Sequence, residues 1–479
     1  MPSGALLDLV AHGVQDIYLI GNPEMTFFKS VYKRHSNFAV ESILGTLDGT
    51  PDFGQRLVCK VPRSGDLLST VILEADLPQL ATTTPGDDEH SIQYIPNVGY
   101  SLIQYVELRI GGQQIDKQYG EWMYIWNELT KSDEKKRALD VMVRANPSNG
   151  PMTLMIPLEF WFCRNIGNSL PLVALQYHDV EIEIQLRPLD QLYYFGATRF
   201  YDLTYDAGSS SPGDYRYIRT NGLLFSPSVG GKTLNYSATT GSQQPITYID
   251  PDTISLPAQI TPLSAATRAY ITPNLTLAGT PSLQGLRIYL DYIYLDTYER
   301  KWFAKSTHRY LIEQTQFSGS QGITNIQTST NIPISFNLPV KELFWVAQTN
   351  ENLNLKQLMN FTSTPDPYYE LAQDDIFDLT IQYNGSQRFT PRRGVYFRLL
   401  HPYQHHTNPV PDKYIYCYSF ALRPEELQPS GASNYSRIDN VSFVINLRPG
   451  HLDEQLRIYG LNYNVLRVMN GMGGVAFMT

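Results

Sequence analysis

The sequence contains only three cysteines in 479 residues, at Cys59, Cys163 and Cys417. They are odd in number, lie far apart, and form neither a Cys-x-x-Cys pair nor the spacing of a zinc motif. A fold stapled by disulfides is therefore excluded. We expect buried free thiols in a protein of a reducing compartment.

Charged residues are also scarce, at 17% of the chain, against roughly 25% in ordinary globular domains. The net charge is −9, so no basic field attracts the chain to nucleic acid, and direct nucleic-acid binding is not expected. One basic cluster, Lys29, Lys33, Arg34 and His35, is interpreted as a solvated or interface face rather than a phosphate site. Low charge suits a protein that covers its surface with copies of itself.

Long apolar runs are missing as well. No uninterrupted stretch approaches the ~18 residues of a membrane-spanning helix. The first residues lack the charged region and apolar core of a secretory signal, so secretion is not expected. Six Asn-x-Ser/Thr sequons are therefore interpreted as turns rather than glycan sites; they begin at Asn235, Asn274, Asn360, Asn384, Asn434 and Asn440.

Strand patterns and aromatic residues are abundant. The segment 180–186, VEIEIQL, alternates apolar and polar residues without a break, as a strand with one buried face does. Helical patterns are short, at 120–130, 133–143 and 297–305. These features predict an all-β fold of the sandwich type with short helices in loops. Further strands are predicted at 38–47, 55–62, 67–77, 102–110, 153–161, 286–295, 331–338, 341–348, 379–384, 414–422, 441–447 and 456–466.

Two landmarks occur twice, in the same order. An alternating strand runs into a Gly-Gly turn at 106–115 and into an Asn-Gly turn at 379–388. The tetrapeptide LRIY at 286–289 returns at 456–459. The chain therefore looks like a duplicated β-domain. Tandem antiparallel domains without a catalytic motif indicate an architectural role.

The first half is longer than the second between these landmarks, and the stretch 189–285 can supply nearly all of the excess. Because it combines turn signals with many tyrosines, we interpret it as one ordered, decorated loop inserted before the last strand of the first domain. The join between the halves is expected near 297–311. That segment lacks Gly and Pro, which predicts a packed connection and two domains fixed side by side.

The only histidine cluster is His401, His405 and His406. A metal site needs convergent ligands, and Asp412 is the only nearby addition. We therefore expect a mobile loop and no metal site here.

Other candidate sites are equally weak. The acidic run Asp87, Asp88, Glu89 and His90 lacks the spacing of a calcium loop. Glu181 and Glu183 share a strand face and imitate a glycosidase pair, but same-face carboxylates are routine in strands. No nucleophile elbow, kinase set, phosphate loop or zinc-protease motif occurs. We predict no enzyme and no catalytic, cofactor-binding or metal-binding residue.

Several long segments resemble one family, the major capsid proteins of nucleocytoplasmic large DNA viruses of the algal-virus and giant-virus type. The resemblance begins with GNPEMTFFKSVYKRHSNFAVESI at 21–43. Further matches are PRSGD at 62–66, IGGQQID at 110–116, LPLVALQYH at 170–178, YLIEQTQF at 310–317, QPSG at 428–431, NYSRID at 434–439 and NYNVLRVMNGMGG at 462–474.

This resemblance implies two tandem eight-stranded antiparallel jelly rolls. It implies a homotrimer that forms a pseudo-hexagonal capsomer of an icosahedral shell in the virion, assembled in the host cytoplasm. The corresponding boundaries are an N-terminal arm at 1–26, a first roll at 27–300, a connection at 301–311 and a second roll at 312–479. The loops 78–100 and 189–285 of the first roll are then expected at the outer surface of the capsid.

The expected partners are neighbouring capsomers and minor capsid and penton proteins. The apolar arm 1–26 is expected to contact neighbouring capsomers, minor capsid proteins or an internal membrane layer. Residues Met469 to Phe477 are expected either to close the second roll or simply to pack at its edge. The alternative function is a glycan-binding module, because jelly rolls also serve as lectins.

Overall fold

The computed structural model describes residues 8–11, 13–83, 92–195, 199–205, 217–220, 233–236, 243–250, 253–255, 268–272, 276–363 and 374–477. The chain forms two compact units, Met1–Phe38 and Ala39–Thr479. Within the described ranges, no helix is both long and apolar enough to cross a bilayer.

The first unit holds little regular structure. A 3-10 turn at Val14–Asp16 leads into the four-residue helix Ile17–Ile20. Large apolar side chains in this unit are exposed, including Phe27 at 88% and Phe28 at 98%. The basic cluster Lys29, Lys33, Arg34 and His35 is exposed too.

The second unit begins with a sandwich of two antiparallel sheets. One sheet has the order β1-β18-β4-β8 and the other β2-β3-β9-β6-β7. The strands are β1 (Phe38–Gly45), β2 (Leu47–Asp48), β3 (Arg56–Lys60), β4 (Leu67–Leu77), β6 (Ile103–Ile110), β7 (Gln113–Tyr119), β8 (Met152–Pro157), β9 (Val180–Leu186) and β18 (Gly285–Leu295). Alternate residues of β4 from Val71 to Leu77 are buried, because successive side chains of a strand point to opposite faces.

A second sandwich follows. Its sheets have the orders β19-β28-β21-β25 and β20-β27-β22-β23, with β26 beside β21, β29 beside β28 and β24 beside β22. The strands are β19 (His308–Ile323), β20 (Ser329–Ile334), β21 (Pro339–Thr349), β22 (Ile376–Tyr383), β23 (Ser386–Gln387), β24 (Arg392–Arg393), β25 (Tyr416–Ser419), β26 (Ser433–Asn434), β27 (Val441–Leu447), β28 (Glu454–Met469) and β29 (Met472–Val475).

The two sandwiches repeat one strand order, which confirms the predicted duplication. The LRIY tetrapeptides lie in β18 and β28, each placed second in its sheet. The other repeated landmark forms the hairpins β6–β7 and β22–β23. Both turns place two consecutive residues at positive φ, Gly111-Gly112 and Asn384-Gly385. Such turns match the right-handed twist of paired strands, which explains why these residue types recur.

The predicted insertion lies between β9 and β18, as expected, but it is not simply a loop. Its strands form a seven-stranded antiparallel sheet of order β14-β13-β17-β11-β12-β16-β15. The strands are short, and turn-forming residue types are frequent in the sequence of this stretch, so its pattern resembled a decorated loop. The seven strands are β11 (Arg199–Tyr205), β12 (Tyr217–Thr220), β13 (Thr233–Tyr236), β14 (Gln243–Pro245), β15 (Thr247–Asp250), β16 (Thr253–Ser255) and β17 (Arg268–Thr272). An eighth strand of the insertion, β10 (Tyr193–Phe195), lies outside this sheet.

Three predicted helices are present, as Gly120–Thr130, Asp133–Met142 and Thr297–Lys305. Other α-helical turns are short, at Val98–Leu102, Trp161–Arg164, Asn350–Asn354 and His401–His405. A π-turn, Tyr396–Leu400, precedes the last of them. The remaining 3-10 turns are Ile166–Asn168, Leu172–Ala174, Leu189–Gln191, Pro411–Lys413 and Tyr435–Arg437.

The hydrophobic core has two parts. One lies within the second sandwich and includes Leu343, Trp345 and Phe443. The other fills the first sandwich and continues into residues of the second, including Phe344 and Tyr459. The two sandwiches therefore share one cluster of buried apolar residues, which lies at the junction between them.

Candidate functional site

Aromatic side chains from both sandwiches meet at the junction. Trp122, on the helix Gly120–Thr130, is fully buried. Its ring centroid lies 5.1 Å from that of Phe344 on β21 and 5.9 Å from that of Tyr459 on β28. Tyr459 stacks on Phe317 at 4.7 Å, and Phe317 meets Tyr119 at 5.0 Å. Each such pair adds about 0.5–1.5 kcal/mol beyond the area it buries.

Buried charges are paired across the same junction. Arg457 Nε of β28 donates to Glu121 Oε1 at 2.8 Å, and the Tyr459 hydroxyl donates to the same oxygen at 3.0 Å. Arg164 Nη1 donates to Glu313 Oε2 at 2.7 Å, and Lys341 is a second partner of Glu313. Buried charges stay ionised only when paired in this way, so these contacts fix one relative position of the sandwiches.

Further hydrogen bonds, between side chains and backbone groups, also join the two sandwiches. The Thr315 amide of β19 donates to Asp116 Oδ1 at 2.9 Å, and Gln118 Nε2 donates to Asp116 Oδ2 at 2.8 Å. Burial raises the pKa of Asp116 to about 6, although these hydrogen bonds oppose the shift. The side chain of Gln314 also donates to the Ile115 carbonyl. The edge of β7 is thereby joined to β19.

The C-terminal segment Met469 to Phe477 contacts both sandwiches. β29 pairs with the end of β28 as an added edge strand. The Tyr177 amide of the first sandwich donates to the Gly471 carbonyl at 2.8 Å, and His178 Nδ1 lies 2.8 Å from the Gly473 carbonyl. The segment therefore packs at an edge and also ties the second sandwich to the first.

The helix Thr297–Lys305 connects the sandwiches, near the predicted join. Asp296 caps it, accepting hydrogen bonds from the Tyr298 and Glu299 amides at 3.0 and 2.8 Å. Arg300 pairs with Asp66 of the first sandwich at 2.9 Å. His308 Nε2, at the start of β19, lies 2.7 Å from the Phe303 carbonyl. The connecting helix thus contacts the first sandwich through Arg300 and the start of β19 through Phe303.

Residues of the loop 78–100 and of the insertion 189–285 contact each other at one end of the first sandwich. β5 (Ile92–Tyr94), from the loop 78–100, pairs with β10 of the insertion. Thr82 bridges to Leu277, and the Thr83 amide donates to the Thr276 carbonyl at 3.0 Å. These contacts lie between β4 and β6 on one side and between β9 and β18 on the other.

Glu183, one of the two strand carboxylates that imitate a glycosidase pair, is held in structural contacts. Glu183 is buried and accepts from Arg56 Nη2 at 2.6 Å and from the Tyr105 hydroxyl at 3.0 Å. Burial raises the pKa of Glu183, but these hydrogen bonds and the charge of Arg56 outweigh it and leave the pKa below its usual value. A glycosidase acid needs the opposite shift. Asp87, Asp88, Glu89 and His90 lie outside the described residues.

The histidine cluster lies in ordered structure, so the expectation of a mobile loop is wrong. His401 is buried, stacks on Tyr418 at 4.9 Å and accepts the Ser419 amide at Nε2 at 2.7 Å. Burial, with repulsion from the two neighbouring histidines, lowers the pKa of His401 to about 3. Packing against β25 therefore buries the first two residues of this helix, His401 and Pro402. Asp412 is exposed in the 3-10 turn Pro411–Lys413.

His406 sits between two carboxylates. Its Nε2 lies 2.8 Å from Glu342 Oε1 and its Nδ1 lies 3.0 Å from Glu425 Oε1. Burial opposes a charge on His406, but the attraction of Glu342 outweighs burial and raises the pKa well above its usual value. Two residues later, the Asn408 amide donates to the Leu129 carbonyl of the first sandwich at 2.9 Å. The cluster thus belongs to the junction as well.

Comparison with known proteins agrees with this architecture. A family model described as the major capsid protein N-terminus matches residues 26–218. A second, described as the large eukaryotic DNA virus major capsid protein, matches residues 299–474. The chain belongs to the major capsid proteins of large eukaryotic DNA viruses.

Individual relatives cover nearly the whole chain. The major capsid protein of Pyramimonas orientalis virus is 34% identical, with 99% of each chain covered. That of Phaeocystis pouchetii virus is 32% identical, again with 99% of each covered. Among solved structures, PBCV-1 VP54, fitted into a reconstruction of the virophage Sputnik, matches with a TM-score of 0.67 at 28% identity. That match covers 95% of this chain and 100% of the other.

Family membership confirms the predicted double jelly roll and the predicted role. The chain is a structural capsid protein of the virion and not an enzyme, and the glycan-binding alternative is not supported. The residues that sequence reasoning missed are those of the junction, chiefly Glu121, Trp122 and Arg457. Arg457 lies in the repeated tetrapeptide, whose recurrence was the one available signal.

Proposed function

We propose that three copies of this chain form a pseudo-hexagonal capsomer that tiles an icosahedral shell. The observation that supports this is the buried junction, which joins two sandwiches of equal strand order into one block. Three such blocks present six similar sandwiches around one axis, and a near-hexagonal outline can repeat one kind of contact over a curved surface. Sheet edges that would otherwise promote aggregation are covered by neighbours.

Class averages of the purified protein in negative stain test this proposal. The expected particle shows three-fold symmetry with six lobes. Particles with only two lobes, or rings of other symmetry, would contradict the capsomer geometry.

We further propose that the two rolls occupy residues 27–300 and 312–479, with 301–311 as their connection and 1–26 as the arm. The packed helix Thr297–Lys305 supports a rigid connection at this place. Limited proteolysis of the native protein tests it. Cleavage should spare 301–311, whereas rapid cutting there would contradict a rigid join.

The end of the first roll that carries β5, β10 and the insertion is proposed to face outward on the capsid. The pairing of β5 with β10 supports a single composite surface built from both loops. Antibodies raised against a peptide from 276–284, which contacts the loop 78–100 at this end, should bind intact particles. Binding only after particle disruption would place this end inside.

The N-terminal arm is proposed to contact neighbouring capsomers, minor capsid and penton proteins, or an internal membrane layer during assembly in the host cytoplasm. Its support is the row of exposed apolar side chains, which monomeric surfaces rarely present together; the row includes Leu9, Val10, Val14, Ile17, Leu19, Ile20 and Met25. Deleting 1–26 should leave the capsomer intact and prevent shell assembly. Normal shells from the deleted chain would refute this role.

A further inference from the structure

Three side chains of different chemistry converge at the junction face of the second sandwich. Glu342 lies on β21, Cys417 on the neighbouring strand β25, and His406 just after the helix His401–His405. Cys417 is directly opposite Phe344 in the β21–β25 register, so it shares a sheet face with Glu342 two residues before Phe344. One ligand atom from each residue lies within 4.8 Å of the other two, and all three residues are buried.

The second oxygen of Glu342 is the observation that points to a ligand in this cluster. Glu342 is fully buried, and its Oε2 has no hydrogen-bond partner within the described part of the chain. A buried carboxylate oxygen left without a partner destabilises the fold. The other oxygen of the same carboxylate contacts the His406 ring, so an ion bound between Glu342, His406 and Cys417 could satisfy Oε2 as well.

His406 is held as a metal-binding histidine is held. Its Nδ1 donates to Glu425 Oε1 at 3.0 Å, which leaves Nε2 directed at Glu342. Glu425 is fixed in turn, because the Thr407 amide donates to it at 2.8 Å and the Thr407 hydroxyl donates to its other oxygen. Metal-binding histidines almost always donate their outer N–H to such a carboxylate or carbonyl, which fixes the ring.

We propose that Glu342, His406 and Cys417 bind a divalent zinc-type ion at the junction of the two sandwiches. One carboxylate, one imidazole and one thiolate form a ligand set that Zn²⁺ accepts, and Glu342 Oε2 or a water completes four-fold coordination. The three ligand atoms lie within 4.8 Å of one another, which is close to the span that zinc bonds of about 2.0–2.3 Å to one shared ion allow. This revises the expectation from sequence, which considered only His401, His405, His406 and Asp412.

Zinc binding exchanges two protons for one divalent ion. Without metal, an imidazolium at His406 bridges the two carboxylates and Cys417 keeps its proton. Binding of Zn²⁺ displaces the Nε2 proton of His406 and the thiol proton of Cys417, and both protons leave to solvent. The net charge of the cluster is the same before and after, so burial does not oppose the exchange through added charge.

The ion would strengthen the junction itself. It would join β21 and β25 to the segment that carries His406, and that segment reaches the first sandwich through Asn408. Asn408 contacts the Leu129 and Glu128 carbonyls at 2.9 and 3.2 Å.

The test is the metal content of the full chain, expressed with added zinc and measured by elemental mass spectrometry. We expect about one zinc per chain. Cys417→Ser should lower this at least about tenfold, and Glu425→Gln should weaken binding about 10–100-fold. Cys59→Ser, which alters an equally buried thiol in the first sandwich, should retain the metal.

Cobalt substitution gives a second measurement that does not depend on the folding of any variant. The unmodified chain, expressed with Co²⁺ in place of zinc, should show the absorption of a cobalt–thiolate bond. No zinc in the unmodified chain together with no such absorption would establish a metal-free ion pair and overturn the proposal. Unchanged zinc in folded Cys417→Ser would overturn it equally.

Discussion

Arg457 of the second jelly roll donates through Nε to Glu121 of the first, 336 residues away in sequence, at 2.8 Å. Their side chains are only 14% and 9% exposed. This pair lies beside the aromatic cluster of Trp122, Phe344 and Tyr459, so charge and packing select the same arrangement of the two rolls.

Removing Arg457 should destabilise the junction strongly. In Arg457→Met the Glu121 carboxylate loses its countercharge in a buried place, at a cost of about 3–5 kcal/mol. The free energy of unfolding in urea measures this. Arg423→Met is the matched control, because Arg423 and Glu426 form an exposed pair at 3.1 Å, of a kind that contributes about 1 kcal/mol at most. Equal effects of the two substitutions would contradict a buried junction.

Trp122 should be the most sensitive aromatic residue of the junction. Trp122→Ala removes a fully buried ring that contacts both Phe344 and Tyr459, and such truncations cost about 3–5 kcal/mol. Trp302→Ala provides the control, since Trp302 is 54% exposed on the connecting helix. Scanning calorimetry should show a large decrease in the midpoint temperature of unfolding only for Trp122→Ala. A small decrease in that temperature for Trp122→Ala would mean that contacts other than those of Trp122 hold the two rolls together.

The C-terminal hairpin should respond to one added methyl group. A Cβ on Gly473 would lie 2.5 Å from Leu175 Cδ2, a fully buried side chain. Gly473→Ala should therefore cost about 1–3 kcal/mol and speed hydrogen exchange at the Tyr177 amide, which donates to Gly471. Gly322→Ala is the control, because its Cβ would meet Gln455 at an ordinary 3.6 Å. Unchanged exchange at Tyr177 would show that the hairpin does not dock.

Glu454 should make stability depend on pH. Burial, aided by the charge of Asp375, raises its pKa to about 8. The folded chain therefore holds a proton that the unfolded chain releases above its ordinary pKa. Stability is fully present below that value and falls by about 1.4 kcal/mol per pH unit until the folded pKa is passed.

Urea unfolding at several pH values between 5 and 9 measures this dependence. Glu454→Gln should remove the decline, and Glu426→Gln, at an exposed residue, should keep it. Parallel curves for the native chain and Glu454→Gln would show that Glu454 is ionised in the folded protein.

Strands and helices followed from sequence where one residue pattern controls local structure. Strand β27 spans Val441–Leu447 and β4 spans Leu67–Leu77, as their alternation predicted. The three predicted helices are present because each has a clear apolar repeat or, at Asp296, a capping side chain.

The residues of the junction could not be predicted from sequence. The periodicity of apolar residues shows which face of a strand or helix is buried, but not which other element that face packs against. Glu121 and Arg457 look like ordinary polar residues until the rolls are placed together. Glu342 lies 64 residues before His406, and Cys417 follows on a separate strand, so the cluster first emerges in three dimensions. The sheet of the insertion was interpreted as a loop because its strands are only three to seven residues long.

Light scattering on the purified chain in solution measures whether it assembles as a trimer. We expect a stable particle of three times 54.4 kDa that persists on dilution. A monomer of 54.4 kDa, unchanged at the highest concentrations, would contradict it.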